Sequence, residues 1–332
     1  MAPGSSAMVD AWYNGAWWLW LLRPLEFFFR SVACVRRTFY RVGLFKRYLP
    51  ETPLVIVGNI TVGGTGKTPI VLALVEYLQS IGLNPGVVSR GYGATGTTFP
   101  HKVGDKSTAA DCGDEALLVF LRTGCPCVVA PKRIDAVKAL LKSAPVDLII
   151  SDDGLQHYAL DRHMEIAVLD ADRRVGNGFC LPAGPLREPQ SRLKEVDYVL
   201  YRGSTDPIQG VTYTPMSLVN IATGNECAVS PGSMATEVYA VAGIGQPQQF
   251  FDSLLEAGFN IEPQTFSDHH LFIAKDFSKL SGKPIIMTEK DAVKCKHFAD
   301  KSFWYLKIQA QLPDALLRSV AALDKNDLRK SD

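Results

Sequence analysis

The residues best suited to chemistry are TVGGTGKT at 61–68. An apolar run at 54–60 precedes them, and an amphipathic stretch at 69–81 follows. Glycines at 63, 64 and 66 let a backbone close around phosphate oxygens, its N–H groups turned inward ahead of a helix N-terminus. A lysine at that point reaches the β- and γ-phosphates, and the next hydroxyl ligates Mg²⁺. The spacing therefore predicts a triphosphate loop built from Thr61, Val62, Gly63, Gly64, Thr65, Gly66, Lys67 and Thr68. One departure is visible, since Thr61 stands where the general pattern has its first glycine. A merely flexible glycine loop would leave Lys67 and Thr68 unexplained.

Such a loop needs a carboxylate at the end of a nearby strand to hold hydrated Mg²⁺. The stretch DLIISDD at 147–153 supplies Asp152 and Asp153 directly after a buried-strand pattern, at the edge where open α/β sheets bind ligands. Aspartates also cap turns, but the upstream loop favours metal or catalysis here. His157 follows in the same segment and, read alone, is structural. Asp114 and Glu115 open a helix, where Asp114 by itself reads as a cap. Ser89 and Arg90 close a strand ahead of Gly91 and Gly93, which suits phosphate contact. Arg133, Arg187 and Glu188 read alone as surface charges. Asp268-His269-His270 places two imidazoles pointing apart, so one functional histidine is expected rather than a shared metal.

These groups require elements to hold them. Beyond Pro50, strands are expected at 54–60, 86–89, 127–130, 147–151, 165–170 and 198–201, alternating with helices at 69–81, 114–122 and 133–142. That alternation predicts a P-loop NTPase-like, mostly parallel α/β sheet with helices on both faces. Around 203–233 the pattern weakens into polar, Gly/Pro-containing sequence. Strands at 238–242, 285–288 and 304–308 with a helix at 248–257 then predict a smaller α/β second domain. The expected organisation is an N-terminal segment 1–49, a core 50–205, a hinge 206–236 and a C-terminal domain 237–332.

The 332 residues carry 35 Lys and Arg against 34 Asp and Glu, a net +1, with 47% hydrophobic residues. This excludes a disordered or disulfide-stapled chain, and a nucleic-acid binder acting by bulk charge. Seven cysteines without a C-x-x-C pair build no zinc site and suit a reducing compartment. The neutrality is uneven. Residues 1–47 hold seven basic against two acidic side chains, a net +5 that leaves −4 for the remainder. They also hold Trp12, Trp17, Trp18 and Trp20, four of the five tryptophans. Charges interrupt the apolar run at 16–22 and its continuation at 27–29, short of the roughly 20 apolar residues a spanning helix needs. A basic, Trp/Phe-rich helical segment instead reads as lying on a membrane surface.

Together, GNITVGGTGKTP (58–69), SRGYG (89–93), GDE (113–115), SDDGLQH (151–157), LPAGPLREP (181–189), FSDHH (266–270) and TEKDAVK (288–294) make the chain resemble the tetraacyldisaccharide 4′-kinase family. Thr61 matches the family's form of the loop. The resemblance implies transfer of the γ-phosphoryl of ATP, with Mg²⁺, to the 4′-hydroxyl of a tetraacylated glucosamine disaccharide 1-phosphate in lipid A biosynthesis. It implies Asp114 as general base with His269 orienting or assisting it, and Asp153 as a further catalytic group. Thr68, Asp152 and Glu115 are implied at the metal; Ser89, Arg90, Arg133, His157, Arg187 and Glu188 are second-rank contacts to phosphate or acceptor. The implied partners are the lipid disaccharide and a membrane surface, with neither nucleic acid nor a protein partner. The implied location is peripheral, at the cytoplasmic face of the bacterial inner membrane. Against this stand another P-loop enzyme, such as a GTPase or ligase, and a non-catalytic ATP-binding switch. TEKD at 288–291 has its lysine one place late for a guanine motif, and a switch would not need the extra carboxylates and histidine.

Overall fold

A computed structural model describes residues 3–64, 66–96 and 98–323. Thr65 of the phosphate loop lies outside the described residues. The chain opens with α1 (Pro3–Asn14), a 3₁₀ turn (Trp17–Leu22) and α2 (Arg23–Arg41). Next come β1 (Leu54–Gly58), α3 (Lys67–Ser80), β2 (Pro85–Ser89), β3 (His101–Lys102), α4 (Ala109–Cys112) and α5 (Asp114–Thr123). They are followed by β4 (Cys127–Val129), α6 (Arg133–Ser143), β5 (Leu148–Asp152), β6 (Met164–Asp170) and β7 (Tyr198–Arg202). The second lobe contains β8 (Gly210–Asn220), β9 (Glu226–Cys227), β10 (Glu237–Ala242), α7 (Gln248–Glu256) and β11 (Asn260–Thr265). It ends with β12 (Ile285–Thr288), α8 (Glu289–Cys295), β13 (Phe303–Gln311) and α9 (Asp314–Ala321).

The architecture is a mixed, mostly parallel α/β sheet with helices on both faces. The strands run in the order β11-β10-β12-β13-β8-β7-β6-β1-β5-β2-β4-β3, with β9 beside β8. Strand β1 pairs in parallel with β5 and β6 at the centre. All five of its residues are buried because its Leu/Val/Ile run meets apolar layers on both faces. Val55 and Val57 pack with α3, α5 and α9 on one side. Leu54 and Ile56 pack with α6 on the other. Parallel pairing brings the C-terminal ends of β1, β2 and β5 to one edge, the edge that carries the phosphate loop and the carboxylates.

The stretch at 206–236 contains the longest strand. The 11 residues of β8 pair with β7 only at Gly210 and Val211, and along most of their length with antiparallel β13. One strand thus passes from the first sheet into the second. Helix α9 also returns from the chain's end to the first lobe's core, where Leu316 and Val320 are fully buried.

At the N-terminus, Trp12 and Leu19 are buried beside Leu181 and Val62. Trp17, Trp20, Leu21, Phe27 and Phe28 are exposed. Among the described residues, no helix is long and apolar enough to cross a membrane.

Candidate active site

The phosphate loop is held by neighbours outside it. Gly66 adopts a left-handed φ of 69°, and a Cβ there would meet Arg202 and Tyr213 at 2.9 Å. The Tyr213 hydroxyl donates to the Gly66 carbonyl. Asn59 reaches under the loop, its Nδ2 donating to the Thr61 carbonyl at 2.9 Å and its Oδ1 accepting from Lys67 Nζ at 3.3 Å. Thr61 is bridged to Leu186, and the Val62 N–H donates to the Pro185 carbonyl at 2.8 Å, so the LPAGPLREP segment braces the loop. Thr68 is buried at the start of α3.

Beside the loop, β5 ends on Asp152 and the chain turns at Asp153, whose φ is 51°. Lys67 Nζ lies 3.2 Å from Asp153 Oδ1, and Arg187 lies 3.4 Å from its Oδ2. Burial pushes Asp153 upward, but the Lys67 and Arg187 charges hold its carboxyl below the usual range. Asp152 is different: burial and then the nearby Glu115 charge push it up to about 7. Its Oδ1 is buried with no hydrogen-bond partner. An orphaned carboxylate oxygen beside a phosphate loop fits a Mg²⁺ ion, which binds through one or two carboxylates plus phosphate and water. Among the described residues, no three His, Cys, Asp or Glu side chains converge closely enough to hold a metal unaided.

Helix α5 begins at Asp114 because Gly113, at φ 83°, packs against the Tyr92 carbonyl where a Cβ would clash at 2.5 Å. Asp114 is nearly buried and meets His269 Nδ1 at 3.0–3.1 Å with both oxygens. Burial pushes Asp114 up, yet the His269 hydrogen bond and the Lys290 and Lys294 charges bring it below the ordinary carboxylate value. Burial lowers His269, but its hydrogen bond to Asp114 wins and raises it. His269 sits at a left-handed φ of 59° under the Tyr92 ring, with centroids 4.8 Å apart. His270 turns the other way and bonds Asp276 at 2.9 Å. The two imidazoles diverge as their adjacency in sequence implied, and only His269 reaches Asp114.

Among the second-rank residues, Arg187 faces Asp153 while Ser89 is buried at the end of β2. Arg90 is exposed at the same edge. Arg133 is buried and donates to the carbonyls of Asp152 and Asp153 at 2.9 and 3.2 Å, so it holds the carboxylate turn from behind. Glu188 is also buried, accepting from Gln156 at 2.9 Å and from the Tyr158 hydroxyl. Burial and the Arg133 and Arg162 charges pull His157 down to about 4, leaving it neutral at pH 7.

The site includes groups that sequence reasoning did not single out. Lys290 Nζ approaches Glu115 at 3.1 Å, His269 Nε2 at 3.5 Å, Asp268 at 3.6 Å and Asp114 at 3.9 Å. Lys294 lies 2.7 Å from Asp291 and 3.7 Å from Asp114. Both come from TEKDAVK, whose Thr288 caps α8 by accepting from the Asp291 N–H at 3.2 Å. A cleft of about 500 Å³ joins Gly64, Lys67, Thr68 and Glu115 of the first lobe to Gly245, Asp268 and Lys290 of the second. It continues past Arg202, Gln246 and Gln249 to Asp252.

The profile of the family described as LpxK, tetraacyldisaccharide-1-P 4′-kinase, matches residues 18–324. A Pseudomonas fluorescens protein named tetraacyldisaccharide 4′-kinase is 48% identical over 310 residues, covering 92% of both chains. One of the same name from Tolumonas auensis is 47% identical over 91% of this chain and 93% of its own. A crystal structure of LpxK from Aquifex aeolicus, described as an "apo" form in complex with ATP, superposes with a TM-score of 0.76. It is 24% identical, with 92% of this chain and 99% of that chain covered.

Proposed function

The chain belongs to the tetraacyldisaccharide-1-P 4′-kinase family, and from that premise we propose how its cleft performs the reaction. The activity is ATP-dependent phosphorylation of the 4′-hydroxyl of a tetraacylated disaccharide 1-phosphate in lipid A biosynthesis. The observation that carries the assignment of roles is the hydrogen-bonded Asp114–His269 pair, whose chain neighbours Glu115 and Asp268 line the cleft that contains Lys67 and Thr68.

Residues 61–68 bind the triphosphate, with Lys67 on its terminal oxygens. The residues present fit Mg²⁺, which Thr68, Asp152 and Glu115 would hold; when bound it neutralises charge on the β- and γ-phosphoryl oxygens. Phosphoryl transfer requires in-line positioning more than covalent help. The acceptor hydroxyl loses its proton to the Asp114–His269 pair as its oxygen bonds to phosphorus. Asp114, kept ionised by its cationic neighbours, is the base, and His269 orients it and shares the proton. Asp153 keeps Lys67 aligned. Arg187 and the exposed Arg90 meet acceptor or phosphate, while Ser89, Arg133, His157 and Glu188 support the edge.

The two lobes close about 206–236 when both substrates are bound, which excludes water. The N-terminal segment rests on a membrane surface where the lipid acceptor lies, at the cytoplasmic face of the inner membrane.

The test is γ-labelled ATP incubated with the tetraacyl disaccharide 1-phosphate and scored for label in the lipid phase. Labelled lipid is expected; folded protein yielding none would overturn the reading. Lys67→Ala should abolish transfer. Asp114→Ala should lower turnover by at least about 10²-fold with ATP binding retained, and near-normal turnover would reject Asp114 as the base.

A further inference from the structure

We propose that Lys290 is a catalytic cation, delivered by the second lobe to the phosphoryl group during transfer; this rests on the kinase reading above. Its ammonium stands between the two halves of the site, 3.1 Å from Glu115 in the first lobe and 3.6 Å from Asp268 in the second. It is also 3.5 Å from Nε2 of His269, the imidazole nitrogen turned away from Asp114. The phosphorus must lie next to the acceptor oxygen, and that oxygen must lie next to the base pair. A group in contact with the base pair and lining the phosphate cleft is therefore within reach of the transferring oxygens.

The helix that carries Lys290 does not depend on it. Helix α8 is capped by Thr288, and its fully buried Asp291 accepts from the Gly243 N–H at 2.8 Å. Asp291 is also paired with Lys294 at 2.7 Å, and Glu289 with Arg122 at 2.8 Å. These contacts set the position of α8, while Lys290 alone of its first turn points into the cluster of cleft carboxylates. Nor does Asp114 need Lys290 for neutralisation, since His269 and Lys294 already approach it.

Among the described residues, three cationic side chains line the cleft: Lys67, Arg202 and Lys290. Lys67 belongs to the triphosphate loop. Arg202 is tied to Asp170, Gln246 and Gln249. Of these three, Lys290 is left to meet charge on the acceptor side, alongside the Arg187 and Arg90 contacts proposed above. As the 4′-oxygen bonds to phosphorus, the bond to the bridging oxygen breaks and its electron pair leaves with ADP. The hydroxyl proton passes to the Asp114–His269 pair. Lys290 keeps its own protons and donates hydrogen bonds to the equatorial oxygens, where preorganised donors act most strongly on the transition state.

The experiment compares wild type with Lys290→Met, Lys290→Gln and Lys290→Arg, measuring kcat, KM for both substrates, ATP affinity and melting temperature. The Met and Gln variants should lose about 10²–10³-fold in kcat, as removal of one such donor does elsewhere. Their ATP affinity should stay within about threefold. Arg, which keeps the charge, should recover at least about tenfold over Met. If Met melts well below wild type, Gln carries the comparison, because it keeps a polar side chain of similar length. Turnover of the folded neutral variant within threefold of wild type overturns the proposal. So does a loss confined to KM, or an Arg variant no better than Met. A wild-type protein that labels no lipid instead fails the kinase reading itself, so the two failures are distinct.

Discussion

At the residue scale, Asp152, proposed above as a metal ligand, shows how such a buried carboxylate costs stability. Burial and Glu115 raise its folded value to about 7, against roughly 3.9 when unfolded. The native state therefore holds the extra proton between these limits, and stability falls as pH rises through that window. Above it, the deprotonated group remains buried with Oδ1 unpartnered. Asp152→Asn should raise the melting temperature of the metal-free protein at pH 8 and change it little at pH 4, while lowering phosphoryl transfer. Scanning calorimetry at both pH values checks this, and an equal shift at both would contradict it. Asp152 was legible as a candidate because a carboxylate follows a buried strand downstream of a GKT loop. Lys290 was not, because a lysine in a short amphipathic helix looks solvated until the fold brings it to Glu115, 175 residues away in the chain. Arg133 and Glu188 illustrate the converse. Read alone they are surface charges, and only the family resemblance implied ligand contact; three-dimensional packing reveals that both face inward.

At the element scale, the relation between α5 and α8 would set the geometry of the proposed mechanism, because α5 carries Asp114 and α8 carries Lys290. Arg122 ties them together at the far end of α5. It reaches Glu76 of α3 at 2.7 Å, Glu289 of α8 at 2.8 Å and the Ile308 carbonyl of β13 at 2.7 Å. Removing one partner of a buried ion pair leaves the other uncompensated, at a cost of about 3–5 kcal/mol. Arg122→Met should lower the urea midpoint accordingly, and adding Glu289→Gln should restore part of the loss. Additive losses in the double variant would mean the two residues are not coupled. Most core strands were legible, since β1 is a continuous apolar run and β5 and β6 carry apolar stretches, all three buried throughout. Strand β8 was not, because its partly buried middle reads TYTPMS, polar residues and a proline with little apolar periodicity. Its order comes from long antiparallel pairing with β13, a partner about ninety residues away that no local pattern reveals.

At the scale of the whole molecule, the uneven charge and the exposed aromatics converge on α2. Leu25, Phe28, Val32, Val35, Phe39 and Val42 recur every three or four residues and are all exposed, forming one apolar stripe. A second copy packed on that stripe would bring the segment's own basic side chains, among them Arg36 and Arg41, close to their copies. An anionic bilayer complements them, which favours the membrane as occupant. The segment also has an inner face: Trp12 donates to the Pro182 carbonyl at 3.0 Å, and Leu19 and Glu26 are buried. Deleting residues 1–30 would therefore damage packing beside the phosphate loop, and surface substitutions give the cleaner test. Replacing Arg36, Arg41 and Lys46 with alanine should remove about 1 kcal/mol of attraction to anionic lipid per charge, roughly a 100-fold loss in partition for the three. Partition onto neutral vesicles should change far less, and ATP affinity not at all. Phe28→Ser with Val32→Ser should instead weaken binding to both vesicle types, because it removes apolar area rather than charge. Sedimentation with vesicles containing or lacking anionic lipid separates the two contributions. Unchanged partition in both variant sets would show that α2 does not hold this protein to the membrane.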